Sequence, residues 1–183
     1  MNSNTERLSI KLVFPGEEEK ILDFYLRNKE FLKDYETKKP LDFYTIEFQQ
    51  KMLTTEIINT LQGSSYRFYI YEKDNFDKII GTFSLGFVNR GCLQNAVLGY
   101  KMDKDYTNKG FMTEALRAGV DYAFSTIKLH RLEAYVMPKN ICSLAVLNKL
   151  GFKNEGLCEK YIEIDGIWQD HYRYSLINTT YSY

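Results

Sequence analysis

Hydrophobic positions along this chain alternate with a period of two in some segments and recur every three to four residues in others. Alternating or continuous apolar runs predict strands, and they occur at 7–14, 66–73, 79–88, 96–102 and 131–137. Two further alternating runs between 161 and 174 enclose Asp165-Gly166, a dipeptide typical of a tight hairpin. Helical spacing predicts helices that begin at 17–19 and that cover 46–61, 111–126 and 142–150.

The connections between these segments predict the fold class. A strand, a helix and another strand follow one another between 96 and 137, so these two strands are expected to run parallel. The shorter connections before 96 and after 160 favour antiparallel pairs. We therefore expect a single α/β (α+β) domain over 1–183, with a mixed, mostly antiparallel central sheet flanked by about four helices.

The segment from Asn95 to Leu116 carries candidate chemistry, because a strand passes through a polar loop with one glycine into an amphipathic helix. The helical spacing begins after Gly110, and the first amide groups of a helix can hold a phosphate group because they have no intrahelical partner. A P-loop needs a second glycine followed by Lys and Ser or Thr, and a dinucleotide-binding loop needs three glycines, so neither fits. A strand-to-helix turn without a ligand remains the alternative.

Composition excludes several other classes of function. Lys plus Arg and Asp plus Glu both number 24, so no net charge favours nucleic acid or an anionic membrane as a partner. The chain shows neither a leader pattern nor an apolar run long enough to cross a membrane, so we expect a cytoplasmic protein. The cysteines, Cys92, Cys142 and Cys158, are expected to be reduced packing residues, and two histidines are too few for a multi-histidine metal centre.

Three segments together resemble a known family. They are Leu98-Gly-Tyr100, the run from Asn108 to Ala115, and the run from Asn140 to Phe152 followed by Glu155-Gly156. In order and spacing they are similar to the GNAT superfamily of N-acetyltransferases, and most of all to its RimJ/RimL branch. The similarity extends from about Arg7 to Leu176, which is nearly the whole chain.

This resemblance implies a sheet that splays open after the strand ending near Met102, forming a slot for the co-substrate acetyl-CoA without a metal. It implies that backbone groups of Tyr100, Lys101 and Met102 pair with the pantetheine arm, and that Asn140 bonds to the same arm. Lys149 would lie near the nucleotide end, with a solvated helix lysine as the alternative. The pyrophosphate would lie on the amides of the loop and helix start, namely Asn108, Lys109, Gly110, Phe111, Met112 and Thr113.

The chain departs from the superfamily pattern in two places. The pattern has Gln or Arg where Thr107 stands and a small residue where Met112 stands, although Met112 is common in the RimJ/RimL branch. Many members carry a tyrosine at the position of Leu147, and its hydroxyl faces the departing thiolate. The branch instead has a serine at Ser143, so Ser143 is expected to act as the acid that stabilises the thiolate. A helix cap is the alternative role for Ser143.

The general base and the acceptor are less sharply indicated. Glu72 is the first candidate for the base, and the others are Glu133, Asp170, Tyr172, His130 and His171. A peptide α-amine has a pKa near ~8 and a lysine near ~10.4, so the absence of an obvious base favours an N-terminal amine as the acceptor. By the resemblance, Phe43, Tyr44 and Trp168 would form the acceptor wall, with core packing as the alternative.

The function implied by the resemblance is direct acetyl transfer, in a ternary complex, from acetyl-CoA to the α-amine of a protein such as a ribosomal protein. Two alternatives stay open. One is acetylation of a small amine, meaning a polyamine, an antibiotic or an amino-acid derivative, and the other is a non-catalytic acetyl-CoA-binding module. A second copy of the chain, in a homodimer, is a further candidate partner.

Overall fold

The computed structural model describes residues 2–180, and within them eight strands and four α-helices form one sheet with helices on both faces. Short 3-10 turns at Lys33–Tyr35 and Lys104–Tyr106 follow α1 and β5. In chain order the elements are β1 (Asn2–Asn4), β2 (Leu8–Leu12), α1 (Glu18–Leu32), α2 (Ile46–Leu61), β3 (Tyr66–Glu72), β4 (Gly81–Asn89), β5 (Asn95–Met102), α3 (Phe111–Ser125), β6 (Arg131–Val136), α4 (Ile141–Lys149), β7 (Lys153–Ile164) and β8 (Ile167–Ile177).

The strands are arranged in the order β1-β2-β3-β4-β5-β6-β8-β7. Within the described range, the neighbouring strands run antiparallel except for β5 and β6, which run parallel. At the β7–β8 turn, Asp165 and Gly166 both have positive φ, as a two-residue hairpin turn requires. The predicted mixed fold, its parallel pair and its final hairpin are therefore confirmed.

Strands β5 and β6 separate after a short stretch of pairing. Over the residues described, they pair at three positions, from Asn95 opposite Arg131 to Val97 opposite Glu133. Beyond Val97, β5 continues beside β4 as far as Met102, while β6 continues beside β8. The sheet therefore opens between β5 and β6 toward the end at which β5 enters the loop.

Different helices cover the two faces of the sheet. Helices α3 and α4 pack on one face, here named the α3 face, against apolar residues that include Phe68, Phe83 and Leu132. Helices α1 and α2 cover part of the other face, the α1 face, where they meet Tyr69 and Tyr71 of β3. Because side chains alternate along a strand, neighbouring residues of one strand belong to opposite faces.

Glycines shape the helix ends beside the opening. Gly110, with φ +80°, precedes α3, and Gly151, with φ +82°, follows α4. The amide of Phe152 donates to the carbonyl of Leu147 at 3.0 Å, so the left-handed Gly151 ends α4 in a C-terminal cap. A Cβ atom on Gly119 would lie 2.7 Å from the Phe83 ring, so this glycine allows α3 to lie close on β4.

Some predictions of local structure were wrong. Strand β1 was not predicted, because three polar residues show no apolar alternation. Strand β7 begins at Lys153, well before the predicted start at 161, because its first half is mostly exposed and polar and shows no apolar alternation. Cys92 and Cys142 are exposed and Cys158 is half-buried, so they are not core packing residues.

Candidate active site

A buried carboxylate fixes the start of the loop between β5 and α3. Asp103 is fully buried, and its carboxylate accepts a hydrogen bond from the Arg27 guanidinium of α1 and lies 3.7 Å from the Lys78 ammonium. The same carboxylate accepts the amide of Asp105 at 3.0 Å, and the Asp103 amide donates to the carbonyl of Ile80 at 2.9 Å. The loop is therefore tied at its first residue to α1 and to the segment before β4.

The end of this loop leads directly into α3. Asn108 and Gly110 both have positive φ, and Arg7 donates to the carbonyl of Lys109 at 3.1 Å and pairs with Glu114 at 2.7 Å. Burial raises the pKa of Glu114, but hydrogen bonds from Thr5 and Arg7 outweigh it and leave that pKa below its ordinary value. No side chain of the described residues caps α3, so the amides of residues 111–113 are available to an anion.

Two hydroxyl groups meet where β5 faces the start of α4. The Tyr100 Oη atom lies 2.6 Å from Ser143 Oγ and 3.2 Å from the Ser143 carbonyl oxygen. The Ser143 amide donates to Asn140 Oδ1 at 3.1 Å, so the cap of α4 is Asn140 rather than Ser143. Burial raises the pKa of Tyr100 to about 12, although its bond with Ser143 acts to lower it. The phenol is therefore protonated at neutral pH.

The loop and the start of α4 adjoin each other. Cys142 Sγ lies 3.8 Å from Asn108 Oδ1. Because Asn108 belongs to the loop and Cys142 to the first turn of α4, one region contains donor groups from both. The predicted cofactor residues that these contacts bring together beside the opening are Tyr100, Asn108, Asn140 and Ser143.

Lys149 lies at the other end of α4. Together with Arg117, Val120, Asp121 and Leu150 it lines an open cleft of about 260 Å³ beside α3. The cleft has two cationic side chains and one carboxylate. Contact of Lys149 with the nucleotide end of acetyl-CoA therefore stays a prediction. Lys149 lies away from the Tyr100 and Ser143 hydroxyl groups, which are called the hydroxyl pair below.

On the α1 face, a carboxylate from the α1–α2 connection reaches β5. Glu36 pairs with the Lys101 ammonium and, at 3.0 Å, with Lys39. Burial raises the pKa of Glu36, but the two lysines outweigh burial and lower it. Lys101 Nζ also lies 5.2 Å from the centre of the Tyr25 ring. The side chain of Lys101 thus belongs to the α1 face, and only its backbone is left for the predicted contact with the pantetheine arm.

Glu133 lies on the α1 face at the point where β5 and β6 separate. It stands opposite Val97, the last β5 residue paired with β6 in the described structure. Its carboxylate accepts the Arg131 guanidinium at 2.7 Å and the Tyr135 hydroxyl at 2.9 Å. The Tyr135 ring stacks on Tyr161 of β7 at 4.7 Å. This carboxylate is held in place by two donors, each oxygen retaining capacity for another bond.

A second carboxylate on this face joins β6 to the final hairpin. Glu155 accepts hydrogen bonds from the Arg131 guanidinium and, at 2.7 Å, from the Ser175 hydroxyl, and it forms an ion pair with the Arg173 guanidinium at 3.1 Å. The bond from Arg131, followed by that from Ser175, lowers the pKa of Glu155 to about 2. Arg131 therefore pairs with both Glu133 and Glu155, and it links β6 to β7 and β8.

The structure places Glu72 away from the hydroxyl pair. Glu72 ends β3, two strands from β5, and its hydrogen bond with the Tyr106 hydroxyl raises the pKa of that phenol. Among the other base candidates, Asp170 accepts the amide of Lys160 at 2.8 Å, and His171 is buried. Glu133 is the predicted candidate that the fold brings to the separation of β5 and β6.

The predicted aromatic wall divides into buried and exposed parts. Phe43 is 3% exposed and packs edge-on against Tyr25 and Tyr44, with ring centres 4.9 and 5.0 Å apart. Tyr44 is half-buried, with Lys29 Nζ 4.7 Å above its ring. Trp168 is 58% exposed on β8. Phe43 therefore serves core packing, while Trp168 keeps a surface that a ligand can contact.

Three features of the site were not predicted from the sequence. They are the contact of the Tyr100 side chain with Ser143, the contact of Tyr135 with Glu133, and the pairing of Glu155 with Arg131 and Arg173. The pattern of β6 does contain a usable indication. Its buried residues alternate with Arg131, Glu133 and Tyr135. Polar groups at every second position of an internal strand predict a polar site on one face. Their partners on β7 and β8 lie in other segments and could not be paired from the sequence.

Within the part of the chain that the structure describes, no group of three or more His, Cys, Asp or Glu residues could hold a metal ion. In the same range, no helix is both long and apolar enough to cross a membrane.

Comparisons with known proteins give this geometry a family context. The family model described as "Acetyltransferase (GNAT) domain" matches residues 12–153. The chain is 41% identical over 160 residues to "Probable N-acetyltransferase YjcK" of Bacillus subtilis (strain 168), covering 87% of this chain and 88% of that protein.

Two solved structures extend the comparison to three dimensions. One is the ribosomal-protein-S5-alanine acetyltransferase from Vibrio fischeri, with a TM-score of 0.95, 31% identity and coverage of 100% of both chains. The other is Mycobacterium smegmatis RimJ in complex with CoA-disulfide, with a TM-score of 0.87, 28% identity and coverage of 93% of this chain and 81% of that one. The fold is therefore that of solved acetyltransferases.

Proposed function

The chain belongs to the GNAT acetyltransferase family, in its RimJ/RimL branch, and from this premise we propose that it transfers the acetyl group of acetyl-CoA to the N-terminal α-amine of a protein. The observation that carries the proposal is the separation of β5 and β6 after Val97, with the hydroxyl pair on the α3 face and Glu133 on the α1 face. One opening thus joins a site for a thioester to a site for an amine. Such a reaction would take place in the cytoplasm.

The α3 face supplies groups that fit acetyl-CoA. The free amides at the start of α3 suit the pyrophosphate, because aligned N–H groups and the helix dipole favour anions. Beyond Val97 the backbone edge of β5 at Tyr100, Lys101 and Met102 is free of β6 over the described residues, so it can pair with an extended pantetheine arm. The Asn140 side-chain oxygen caps α4, which leaves its amide nitrogen to bond to that arm. CoA bound to the similar RimJ structure supports this choice of donor.

The transfer itself needs an amine nucleophile and a leaving thiolate. The acetyl-CoA thioester supplies the acyl carbon, and the amine nitrogen forms the new C–N bond as the C–S bond breaks. Ser143 can donate a hydrogen bond to the sulfur that receives the electron pair. Because a thiol has a pKa near ~8.5, the thiolate can leave without full proton transfer. The proton released by the amine passes to water or to Glu133.

The charge balance of the α1 face supports a monoamine acceptor. Among the residues described, the carboxylates of this opening are already paired with cations, as shown by Glu36 with Lys101, Glu133 with Arg131, and Glu155 with Arg131 and Arg173. A polyamine carries several ammonium groups and needs carboxylates without such partners. An N-terminal α-amine carries one charge and is already partly neutral at pH 7 to 8.

The similar Vibrio fischeri protein is named for an alanine of ribosomal protein S5, and this name supports a ribosomal-protein N-terminus as the acceptor. The exposed face of Trp168 and the stacked pair Tyr135 and Tyr161 are suited to contact the first residues of such a peptide. Phe43 is buried, so we do not expect it to contact the acceptor peptide.

The experiment measures thiol release from acetyl-CoA with four acceptors. These are an alanine-initiated peptide, the same peptide with a blocked N-terminus, the blocked peptide with an added lysine, and a linear triamine. We expect turnover with the free N-terminus alone. Turnover with the triamine or with the lysine peptide, and none with the free N-terminus, would overturn the proposed acceptor.

A further inference from the structure

The hydroxyl pair on the α3 face has more hydrogen-bonding capacity than a single serine. Tyr100 Oη lies within reach of two acceptors on the same residue, Ser143 Oγ at 2.6 Å and the Ser143 carbonyl oxygen at 3.2 Å. Each hydroxyl has one hydrogen to donate. Two arrangements are therefore open to the pair.

In the first arrangement Tyr100 donates to the Ser143 carbonyl, and Ser143 donates to Tyr100 Oη. In the second, Tyr100 donates to Ser143 Oγ, and the Ser143 hydrogen is free to point at a third group. A negatively charged sulfur beside Ser143 favours the second arrangement, because a hydrogen bond to a charged acceptor is the stronger one. Tyr100 then replaces the bond that Ser143 gives up.

Resting on the proposed function, we propose that Tyr100 is a positioning residue that directs the Ser143 hydroxyl toward the leaving thiolate. A serine near the start of a helix, left without such a partner, tends to bond to the carbonyl three or four residues earlier. For Ser143 these are the carbonyls of Asn140 and Lys139. The Tyr100 hydroxyl competes with that bond and also polarises the Ser143 O–H group.

Burial and the composition of α4 support this role. Tyr100 is half-buried with its hydroxyl bonded to Ser143 of α4, and because burial raises its pKa to about 12, the phenol stays a donor from neutral into alkaline pH. Leu147 is fully buried in the core of the α3 face, and its neighbours Leu144 and Val146 are apolar. The second hydroxyl beside Ser143 therefore comes from Tyr100 of β5 rather than from a residue of α4.

The step balances without a proton from Tyr100. The C–N bond forms, the C–S bond breaks and the electron pair stays on sulfur, where Ser143 holds it by a hydrogen bond. The proton lost by the amine is taken up as in the proposed function. Both hydroxyl groups end the step protonated.

The test is a double-mutant cycle on kcat with Tyr100→Phe, Ser143→Ala and the double variant, at saturating acetyl-CoA. We expect Ser143→Ala to lower kcat roughly 10- to 100-fold and Tyr100→Phe to lower it about five- to tenfold. The double variant should be no slower than Ser143→Ala, because Tyr100 acts through Ser143. The KM for acetyl-CoA and the melting temperature should stay unchanged in all three variants.

The matched control is Tyr66→Phe, which removes a hydroxyl from a half-buried ring packed against Tyr122, outside the opening. It should leave kcat unchanged. Multiplicative losses in the double variant would overturn the proposal, since Tyr100 would then act independently of Ser143. A higher KM for acetyl-CoA at unchanged kcat in Tyr100→Phe would overturn it as well, because the hydroxyl would only bind the co-substrate.

Failure of the proposed function can be told apart from failure of the hydroxyl pair. If the wild-type protein does not acetylate the free N-terminus, the cycle is measured with whichever amine it does accept. If it accepts none, the cycle is measured on acetyl-CoA hydrolysis, which releases the same thiolate. Equal rates of all variants in the reaction that the wild type supports would overturn the pairing of Tyr100 with Ser143.

Discussion

The two faces of the sheet at the β5–β6 opening are built in different ways. On the α3 face, the groups that meet come from three short continuous segments: the end of β5, the loop into α3, and the start of α4. On the α1 face, the paired residues come from separate elements or connections: Glu36 pairs with Lys101, while Glu133 and Glu155 both pair with Arg131. Backbone conformation therefore governs the first face and side-chain charge governs the second.

This difference explains why one face can recognise a constant co-substrate while the other can be adapted to different acceptors. Backbone amides at a helix start recognise a phosphate group whatever the side chains are, so the α3 face suits one constant co-substrate. Ion pairs between distant elements change with single substitutions, so the α1 face can be adapted to one acceptor. Substitutions on each face, and at the point where the faces are joined, can break or sharpen this division.

The largest effect is expected where the two faces are joined. Arg27 belongs to α1, whereas Asp103 opens the loop to α3, and Asp103→Ala leaves the Arg27 guanidinium without its buried partner. Breaking a buried ion pair by removing one member costs about 3–5 kcal/mol, and we expect the lower end of that range because Arg27 is partly exposed and keeps its ion pair with Asp23 at 2.7 Å. Chemical denaturation should show a loss of that size in the free energy of unfolding.

The matched control for this change is Asp105→Ala, whose side chain is exposed in the same loop. It should change the free energy of unfolding by less than about 0.5 kcal/mol. A loss below about 1 kcal/mol for Asp103→Ala would mean that the two faces are not coupled through this pair.

The next effect concerns the α1 face, where side-chain charges meet. Glu133→Gln keeps the shape of the side chain but removes the negative charge at the separation of β5 and β6. A hydrogen bond to a charged group contributes about 1.5–3 kcal/mol, so kcat/KM for the amine should fall roughly 10- to 100-fold. The KM for acetyl-CoA should stay the same. Steady-state kinetics with both substrates varied would separate the two constants.

Glu19→Gln, at an exposed position in the first turn of α1, removes one charge elsewhere and controls for net charge. It should have no effect on either constant. If Glu133→Gln raised the KM for acetyl-CoA and left the amine kinetics unchanged, Glu133 would belong functionally to the α3 face.

A smaller effect is expected from backbone conformation on the α3 face. Gly110 has φ +80°, and a Cβ atom there would lie 3.5 Å from Arg7, so space does not forbid alanine. The left-handed conformation costs an alanine about 1–2 kcal/mol. Gly110→Ala should lose that amount of stability and raise the KM for acetyl-CoA.

Gly91→Ala provides the comparison, because Gly91 has φ +68° and its Cβ would meet nothing within 4 Å among the described atoms. It should lose similar stability in chemical denaturation while leaving the KM for acetyl-CoA unchanged. Equal KM values for both variants would show that the α3 loop does not contact the co-substrate through its backbone.

The smallest effect is the pH dependence of the stability that ion pairs on the α1 face contribute. The pKa of Glu155 is lowered to about 2 from its ordinary 4.5, so its contribution to stability is present above the ordinary pKa. That contribution is lost as the pH falls toward the lowered value. Because Glu155 is exposed, we expect less than about 1 kcal/mol.

Unfolding free energies measured from neutral pH down to the acid range should fall less steeply for Glu155→Gln than for the wild type. High salt should reduce this difference, because it screens the pairs with Arg131 and Arg173. Parallel curves for the two proteins would show that Glu155 is not held by these pairs.

The same division decides what could be predicted from the sequence. The start of α3 after Gly110 and the tight turn at Asp165-Gly166 follow from local spacing and a local dipeptide, and the structure confirms them. The parallel pair of β5 and β6 follows from the intervening helix. These features depend on neighbours in the chain, and a sequence shows such neighbours directly.

Side-chain partners across the sheet could not be predicted in this way. Glu72 was the first candidate for the base, but it ends β3, two strands away from β5, and its partner is the Tyr106 hydroxyl. Phe43 was expected in the acceptor wall, but the turn before α2 directs it into the core. The bond of Tyr100 to Ser143 joins residues 43 positions apart. Each outcome depends on the spatial order of strands, which periodicity does not contain.

The two edges of the sheet affect how the protein behaves at high concentration. Strand β1 has three residues, while β7 has twelve residues whose pairing with β8 shifts register after Asn154 and again after Cys158. These shifts interrupt the row of outward amide and carbonyl groups that a second sheet would need for pairing. A variant with a continuous, straightened β7 would offer a long template for growth of intermolecular β-sheet. The irregular hairpin thus protects the molecule against aggregation along its longer edge.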